Sequence, residues 1–357
     1  MKGITSFALY VTVFAISIGC LCYKRKSKKT NSINLLGITI LVLLAAYRYN
    51  TGTDFQQYSR NFYNYYKMSW INILFDRDDG WGLAAVIKVF YGIGGARLSF
   101  GICAFLTIFP MYISLRNEYS TLPLGISLFW YLTTGFVQSF NLVSQYISIS
   151  ILFLSFKYIY RNQFKKYLAI VLVAFLFHKS ALVAIVIYFL WDHRQECVIQ
   201  GWKRIIIILA TVIGVYFYQV IIQYLANHTS FFRNYAYFIT TEESRNRDFF
   251  LSLFQLAVVL LCYPKIKKQD YHNEMLVLML VISTLIGVTG FTHPQFKRIA
   301  YYFSVPSTTI LIGYMSRIPV LYNGKRSNCS FFAILYTLFR FVLVYYIIGS
   351  LGFNIRL

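Results

Sequence analysis

Arg48, Gly52, Asp54 and Tyr58 lie close together in the sequence Tyr-Arg-Tyr-Asn-Thr-Gly-Thr-Asp-Phe-Gln-Gln-Tyr, residues 47–58. Arg48 is a permanent cation whose planar guanidinium suits phosphate oxygens. Gly52 gives the backbone freedom to turn, and Asp54 adds a carboxylate. At a membrane surface this combination predicts a site for an anionic, hydroxyl-rich ligand. The alternative is a hydrated loop in an interfacial tyrosine belt.

Further candidates lie in three other parts of the chain. Asn141 and Gln145, in the segment 140–146, have amide groups suited to binding sugar hydroxyls. His178 interrupts the apolar stretch 167–190 with an imidazole that can exchange a proton. The remaining candidates are basic residues suited to phosphate: Arg233, Arg245, Arg247, His293, Lys297 and Arg298.

The composition indicates the kind of scaffold that must position these residues. The chain has 357 residues, of which 58% are hydrophobic and 19% aromatic. Its apolar residues form repeated runs of membrane-spanning length, separated by short polar segments. The sequence therefore predicts an all-α polytopic integral membrane protein, with residues 1–357 forming a single transmembrane domain.

Charge predicts the orientation of the chain in the membrane. Lys and Arg number 34 against 12 Asp and Glu, a net charge of +22. Cytoplasmic loops carry most basic residues, so the cluster at 24–29 is predicted to lie inside. The run 4–23 precedes that cluster and is not expected to be a cleaved signal peptide. Residues 48–80, with an interfacial helix, and 227–248 are then external loops, in a chain of roughly twelve (ten to thirteen) crossings.

Two segments do not fit a simple alternation of spans. The stretch 81–93 is apolar but short, and it is interpreted as re-entrant or interfacial. The stretch 167–190 is predicted to break at His178, because a single helix would move the basic segment 192–204 to the outside. Broken helices at membrane depth usually border cavities lined by protein.

Each candidate also has a simpler structural explanation. Arg48 and Arg298 could extend to lipid headgroups, and His178 could be a buried histidine with satisfied hydrogen bonds. The arginines of loop 227–248 could pair with its own acidic residues. As a set on the outside, where topology does not require a basic excess, the residues favour function.

The motifs resemble a known family. The pattern Arg-x-x-x-Gly-Thr-Asp-x-x-x-Tyr at 48–58, together with Asn-x-x-Ser-Gln at 141–145, His-x-Ser at 178–180 and Lys-Arg-Ile-x-Tyr-Tyr at 297–302, is similar to the EpsG-like branch of the Wzy polysaccharide polymerases. The resemblance covers residues 40 to 310. One departure is Ser144, where the family commonly has arginine.

This resemblance implies a GT-C-like fold and a glycosyltransferase in O-antigen or exopolysaccharide biosynthesis. The substrate would be an oligosaccharide on undecaprenyl diphosphate, polymerised at the periplasmic face of a bacterial inner membrane. Asp54 or His178 would act as the base. The residues implied for diphosphate are Arg48, Arg233, Arg245 and Arg298, and those for sugar are Tyr58, Asn141 and Gln145.

No metal or cofactor is expected. Cys20 and Cys22 lack the second pair that a zinc site needs, and Asp76 and Asp78 are interpreted as part of a solvated turn. The arginines can themselves stabilise a leaving diphosphate. Other expected partners are membrane lipid and, as an open question, a chain-length regulator; no nucleic-acid-binding module is visible.

Three other functions compete with polymerisation. A flippase for the same lipid-linked sugar should place charges along a path reachable from both sides, whereas these charges cluster outside. A membrane acyltransferase would need a histidine supported by an acid, and the sequence motifs around His178 and His193 do not indicate which acidic residue would serve. An O-antigen ligase uses the same donor and is the closest enzymatic alternative.

Overall fold

A computed structural model describes residues 3–23, 31–74, 80–228, 247–291, 296–322, 325–328, 330–347 and 354–355. Helices account for nearly all secondary structure in these ranges, which confirms the all-α prediction. Helices are expected because a backbone in lipid must satisfy its hydrogen bonds within its own segment.

The elements are named in chain order. Up to residue 177 they are α1 (Gly3–Cys22), α2 (Ser32–Ala46), β1 (Arg48–Tyr49), α3 (Phe55–Lys67), α4 (Trp70–Leu74), α5 (Trp81–Glu118), α6 (Leu124–Tyr131), α7 (Val143–Phe153), α8 (Phe156–Tyr160) and α9 (Phe164–Phe177). Beyond it they are α10 (Ile185–Tyr188), β2 (Trp191–Asp192), β3 (Cys197–Val198), α11 (Gly201–His228), α12 (Arg247–Lys267), α13 (Asn273–Gly287), α14 (Tyr301–Met315), β4 (Pro319–Tyr322), β5 (Lys325–Asn328), α15 (Ser330–Ile347) and β6 (Asn354–Ile355).

Short π-helical and 3-10 turns and two-stranded ribbons complete the described structure. A π-helical turn, Leu132–Phe136, continues α6. Turns of 3-10 helix occupy Lys179–Ala184, Val288–Phe291 and Phe296–Ala300. Each strand pairs with one antiparallel partner: β1 with β6, β2 with β3, and β4 with β5.

Three segments of the described chain are long and apolar enough to cross a membrane: Trp81–Glu118, Gly201–Ile221 and Phe249–Lys267. Shorter apolar helices, among them α2 and α13, accompany them. The protein is therefore a membrane protein, while the number of crossings stays a prediction.

The chain divides into two compact units. The first comprises Met1–Tyr158, Lys165–Leu182 and Ile312–Leu357, and the second comprises Ile159–Phe164 and Val183–Leu311. The prediction of a single transmembrane domain is not tested by this division.

Helix α5 is the centre of the first unit, where it packs against α2, α3 and α7. Gly94 and Gly95 have non-helical backbone angles and kink α5. Gly95 has a φ of +62°, which favours glycine. The short apolar stretch 81–93 and the span that follows it are thus the two arms of one kinked helix.

Helix α3 is amphipathic. Phe55 and Phe62 lie on its buried face, and their ring centroids are 5.1 and 4.9 Å from that of Phe100 in α5. Tyr63 and Tyr66 are exposed on the other side. Aromatic burial on one face and exposed tyrosine on the other is the pattern expected of an interfacial helix.

One largely buried carboxylate connects three helices of the second unit. Glu274 in α13 accepts a hydrogen bond from the Tyr263 hydroxyl at 2.7 Å. The same side chain forms ion pairs with Lys267 at 3.2 Å and Arg204 at 3.4 Å. These contacts join α11, α12 and α13 through one side chain that is 11% exposed.

The break predicted at His178 is observed. Helix α9 ends at Phe177, and the chain continues as the 3-10 turn Lys179–Ala184 before α10. The backbone N–H of Ala181 donates to the carbonyl of His178, which starts the new turn.

Candidate functional site

Arg48 lies among three aromatic rings in the first unit. It follows the end of α2, and only 5% of its surface is exposed. Its Cζ atom is 4.3 Å from the ring centroid of Phe140, 4.5 Å from that of Phe100 and 5.9 Å from that of Phe55. Such cation–π contacts contribute up to about 2 kcal/mol when desolvated.

The guanidinium of Arg48 is not satisfied by these rings. Its Nε and Nη1 atoms are buried and have no hydrogen-bond partner. Burial lowers the pKa of Arg48 from 12.5 to about 10, so the side chain remains a cation at neutral pH. An uncompensated buried charge costs several kcal/mol, and this arrangement is suited to accept an anion.

The space beside Arg48 is small in the described conformation. Its volume is about 10 Å³, which is room for about one water molecule. Its walls include the side chains of Cys103, Thr107, Ser139 and Val143. Val143 begins α7, so the N-terminal, partly positive end of that helix borders the same space. In this conformation the space is too small for a phosphate group.

The Gly52 loop packs on Phe140 and Asn141, and Phe140 also lines the Arg48 cavity. Gly52 has a φ of +93°, and a Cβ at this position would lie 2.3 Å from Oδ1 of Asn141. Thr51 beside it is fully buried. The loop therefore packs closely on the turn that precedes α7, and glycine is required there by both conformation and space.

Tyr58 connects α3 to the start of α7. Its hydroxyl accepts a hydrogen bond from the Val143 N–H at 3.2 Å and donates one to the Asn141 carbonyl at 3.4 Å. The first N–H groups of a helix have no partner within it. Tyr58 thus caps α7 from outside, a role that the sequence does not reveal; its sugar-binding role stays a prediction.

We expect Tyr58→Phe to lower the unfolding free energy by about 1 kcal/mol, because one buried backbone N–H loses its acceptor. The measurement is thermal unfolding of the purified protein in detergent. Tyr63→Phe is the matched control, since Tyr63 lies on the same helix and is 49% exposed. Equal stability of the two variants would contradict the capping role.

Asp54 occupies the position before α3 without capping it. Its side chain makes no hydrogen bond to the first turn of the helix. The Thr53 hydroxyl donates to Asp54 Oδ1 at 2.8 Å. The carboxylate is partly exposed, which leaves it accessible to a ligand.

His178 meets the same segment from another direction. Its Nδ1 atom lies 3.2 Å from Oγ of Ser144, in the first turn of α7. Ser144 and the adjacent Gln145 are both buried, at 3% and 2% exposure. The segment 139–145 therefore contacts the Arg48 cavity, the Gly52 loop, Tyr58 and His178.

The first unit thus contains six predicted site residues: Arg48, Asp54, Tyr58, Asn141, Gln145 and His178. Arg298 belongs to the second unit, in the 3-10 turn Phe296–Ala300, and is half-buried. The next residue, Ile299, lines an apolar cavity of about 260 Å³ within that unit. Four other predictions lie outside the described residues: Arg233, Arg245, His293 and the acidic turn 76–79.

The aromatic enclosure of Arg48 was not predicted from the sequence. Phe140 directly precedes Asn141, so its position beside a motif was a signal that could have been used. Phe100 lies within the long apolar helix α5, where nothing in the sequence distinguishes it from other buried aromatic residues.

Arg48 is thus a buried arginine with unsatisfied nitrogen atoms in an α-helical membrane protein, and such a residue marks a candidate functional site. A family model described as the EpsG family matches residues 33–355. The chain therefore belongs to the EpsG family, a family of Wzy-like polymerases. No curated protein and no solved structure matches the chain.

Proposed function

We propose that this protein is a polysaccharide polymerase that joins repeat units carried on undecaprenyl diphosphate, in O-antigen or exopolysaccharide biosynthesis. The observation that carries the proposal is Arg48, a buried cation with two nitrogen atoms that lack hydrogen-bond partners. Membership of the EpsG family supports the reaction class.

In the proposed reaction, a hydroxyl of one lipid-linked repeat unit attacks the anomeric carbon of the growing glycan. A new carbon–oxygen bond forms, the hydroxyl proton passes to a base, and undecaprenyl diphosphate leaves with the bonding electron pair. Arg48 stabilises the charge on the departing diphosphate. His178 or Asp54 takes the proton.

The small volume of the cavity at Arg48 adds a step to this proposal. Because the space holds about one water molecule, the segments that line it, among them the turn before α7, must move apart for the diphosphate to enter. Arg298, Arg233 and Arg245 remain proposed diphosphate ligands, and Asn141 and Gln145 proposed sugar ligands. No metal or cofactor is required by this scheme.

The same proposal includes the placement in the membrane. A GT-C-like arrangement of roughly ten to thirteen crossings in a bacterial inner membrane places the Arg48 site on the periplasmic side. Single cysteines at exposed positions of α3, labelled by an impermeant thiol reagent in intact spheroplasts, test that side. Labelling only after lysis would contradict the assigned orientation.

A deletion strain complemented with the gene tests the function, with surface polysaccharide displayed as a ladder on a gel. We expect deletion to abolish the ladder, while single repeat units are still found attached to their carrier. Trapping of lipid-linked units inside the cell would instead indicate a flippase. Full-length polymer that stays on undecaprenyl diphosphate would indicate a ligase.

A further inference from the structure

The contact between Ser144 and His178 joins two distant motifs at one hydrogen bond. Ser144 lies in the first turn of α7, and His178 is the residue at which α9 breaks. Ser144 Oγ and His178 Nδ1 are 3.2 Å apart, and Ser144 is 3% exposed. The buried helix α7 therefore holds the hydroxyl in place, while His178 lies at the junction between α9 and the 3-10 turn Lys179–Ala184.

We propose that Ser144 is a positioning residue for His178. This inference rests on the proposed function, with His178 as the base of the reaction. In this proposal the proton of the contact belongs to His178 Nδ1, which donates to Ser144 Oγ, so that Nε2 carries the lone pair. A hydrogen bond at one ring nitrogen sets the role of the other.

The positioned Nε2 then accepts the proton of the attacking sugar hydroxyl. As that O–H bond breaks, the oxygen forms its bond to the anomeric carbon, and the bond from that carbon to the diphosphate oxygen breaks. His178 becomes an imidazolium whose Nδ1–H still donates to Ser144. Serine thus supplies orientation here and takes no part in the transfer of the glycan.

The test measures polymerisation by the purified full-length protein with synthetic lipid-linked repeat units. We expect Ser144→Ala to lower kcat by about 100-fold, with KM for the repeat unit unchanged, because a misplaced base affects the chemical step. Ser144→Thr keeps the hydroxyl and is expected to restore most of kcat. Ser150→Ala is the matched control, since Ser150 lies on α7, is fully buried and bonds Tyr131 instead.

The outcomes separate this inference from the function on which it rests. Absence of polymer from the wild-type protein would overturn the proposed function itself. Wild-type polymerisation with unchanged kcat in Ser144→Ala or in His178→Ala would overturn only the positioning role. An equal loss in Ser144→Ala and Ser150→Ala would assign the effect to packing of α7. Where Ser144→Thr fails to fold, the kcat and KM of Ser144→Ala decide the question.

Discussion

Replacing Arg48 with methionine is expected to abolish polymer formation while leaving the protein at least as stable as the wild type. Methionine keeps a long apolar side chain between the rings of Phe100 and Phe140 but removes the charge. Removing one preorganised donor to a developing anion lowers kcat by about 100- to 1,000-fold. We therefore expect no visible ladder in the complementation assay.

The expected stability of Arg48→Met follows from two opposing contributions to the free energy of folding, the cation–π contacts and the desolvation of the charge. The cation–π contacts of Arg48 contribute up to about 2 kcal/mol. The desolvation of an unpaired charge opposes folding by several kcal/mol. The charge is thus a net destabilising feature, so Arg48→Met should raise the melting temperature in detergent or leave it unchanged.

Arg97→Met is the matched control for Arg48→Met. Arg97 also lies near an aromatic ring, with its Cζ 5.4 Å from the Tyr47 ring centroid, but its side chain is exposed. We expect this variant to build full-length polymer. A parallel loss of stability and activity in Arg48→Met would show that Arg48 is structural, and the diphosphate assignment would then be wrong.

Much of the first unit's site could be predicted from its sequence because the motifs are local. The residues of 48–58 follow directly on an apolar run, and polar residues at the end of such a run stand out against it. The helix break at His178 was predictable for a related reason. Positive-inside bias disfavours a single span through 167–190, so the polar residue within the stretch marks the break.

Contacts between distant segments could not be predicted in this way. Helix α5 supplies Phe100 to the site from the middle of an apolar run, where helical periodicity is hidden by apolar residues on every face. The pairing of β1 with β6, which sets Arg48 opposite Ile355, joins residues from the two ends of the chain. Contacts between residues so far apart in sequence depend on how the helices pack, and local sequence patterns do not predict that packing.

The difference at Ser144 shows how a local pattern can conceal a role. The family commonly has arginine at this position. Because serine carries no positive charge, its presence suggested a weaker phosphate site. The structure places its hydroxyl against His178, which only the packing of α7 beside the end of α9 could reveal.

Replacing Gly80 with alanine is expected to disrupt the same region from a position remote in sequence. Gly80 precedes α5 with a φ of +99°, and a Cβ there would lie 2.7 Å from the Leu176 carbonyl oxygen and 2.9 Å from that of Phe177. These are backbone atoms at the end of α9, so they cannot rotate away as a side chain would. Strain and overpacking together should lower the unfolding free energy by about 2 to 5 kcal/mol.

The clash at Gly80 should also reduce polymer formation, because the displaced carbonyls directly precede His178. Gly95→Ala separates backbone strain from steric clash. Gly95 has a φ of +62°, but a Cβ built on it would have no atom within 4 Å. We expect Gly95→Ala to lose stability through backbone strain alone and to keep more of its activity. If both alanine variants lose stability and polymer equally, the contact between Gly80 and the end of α9 does not position His178.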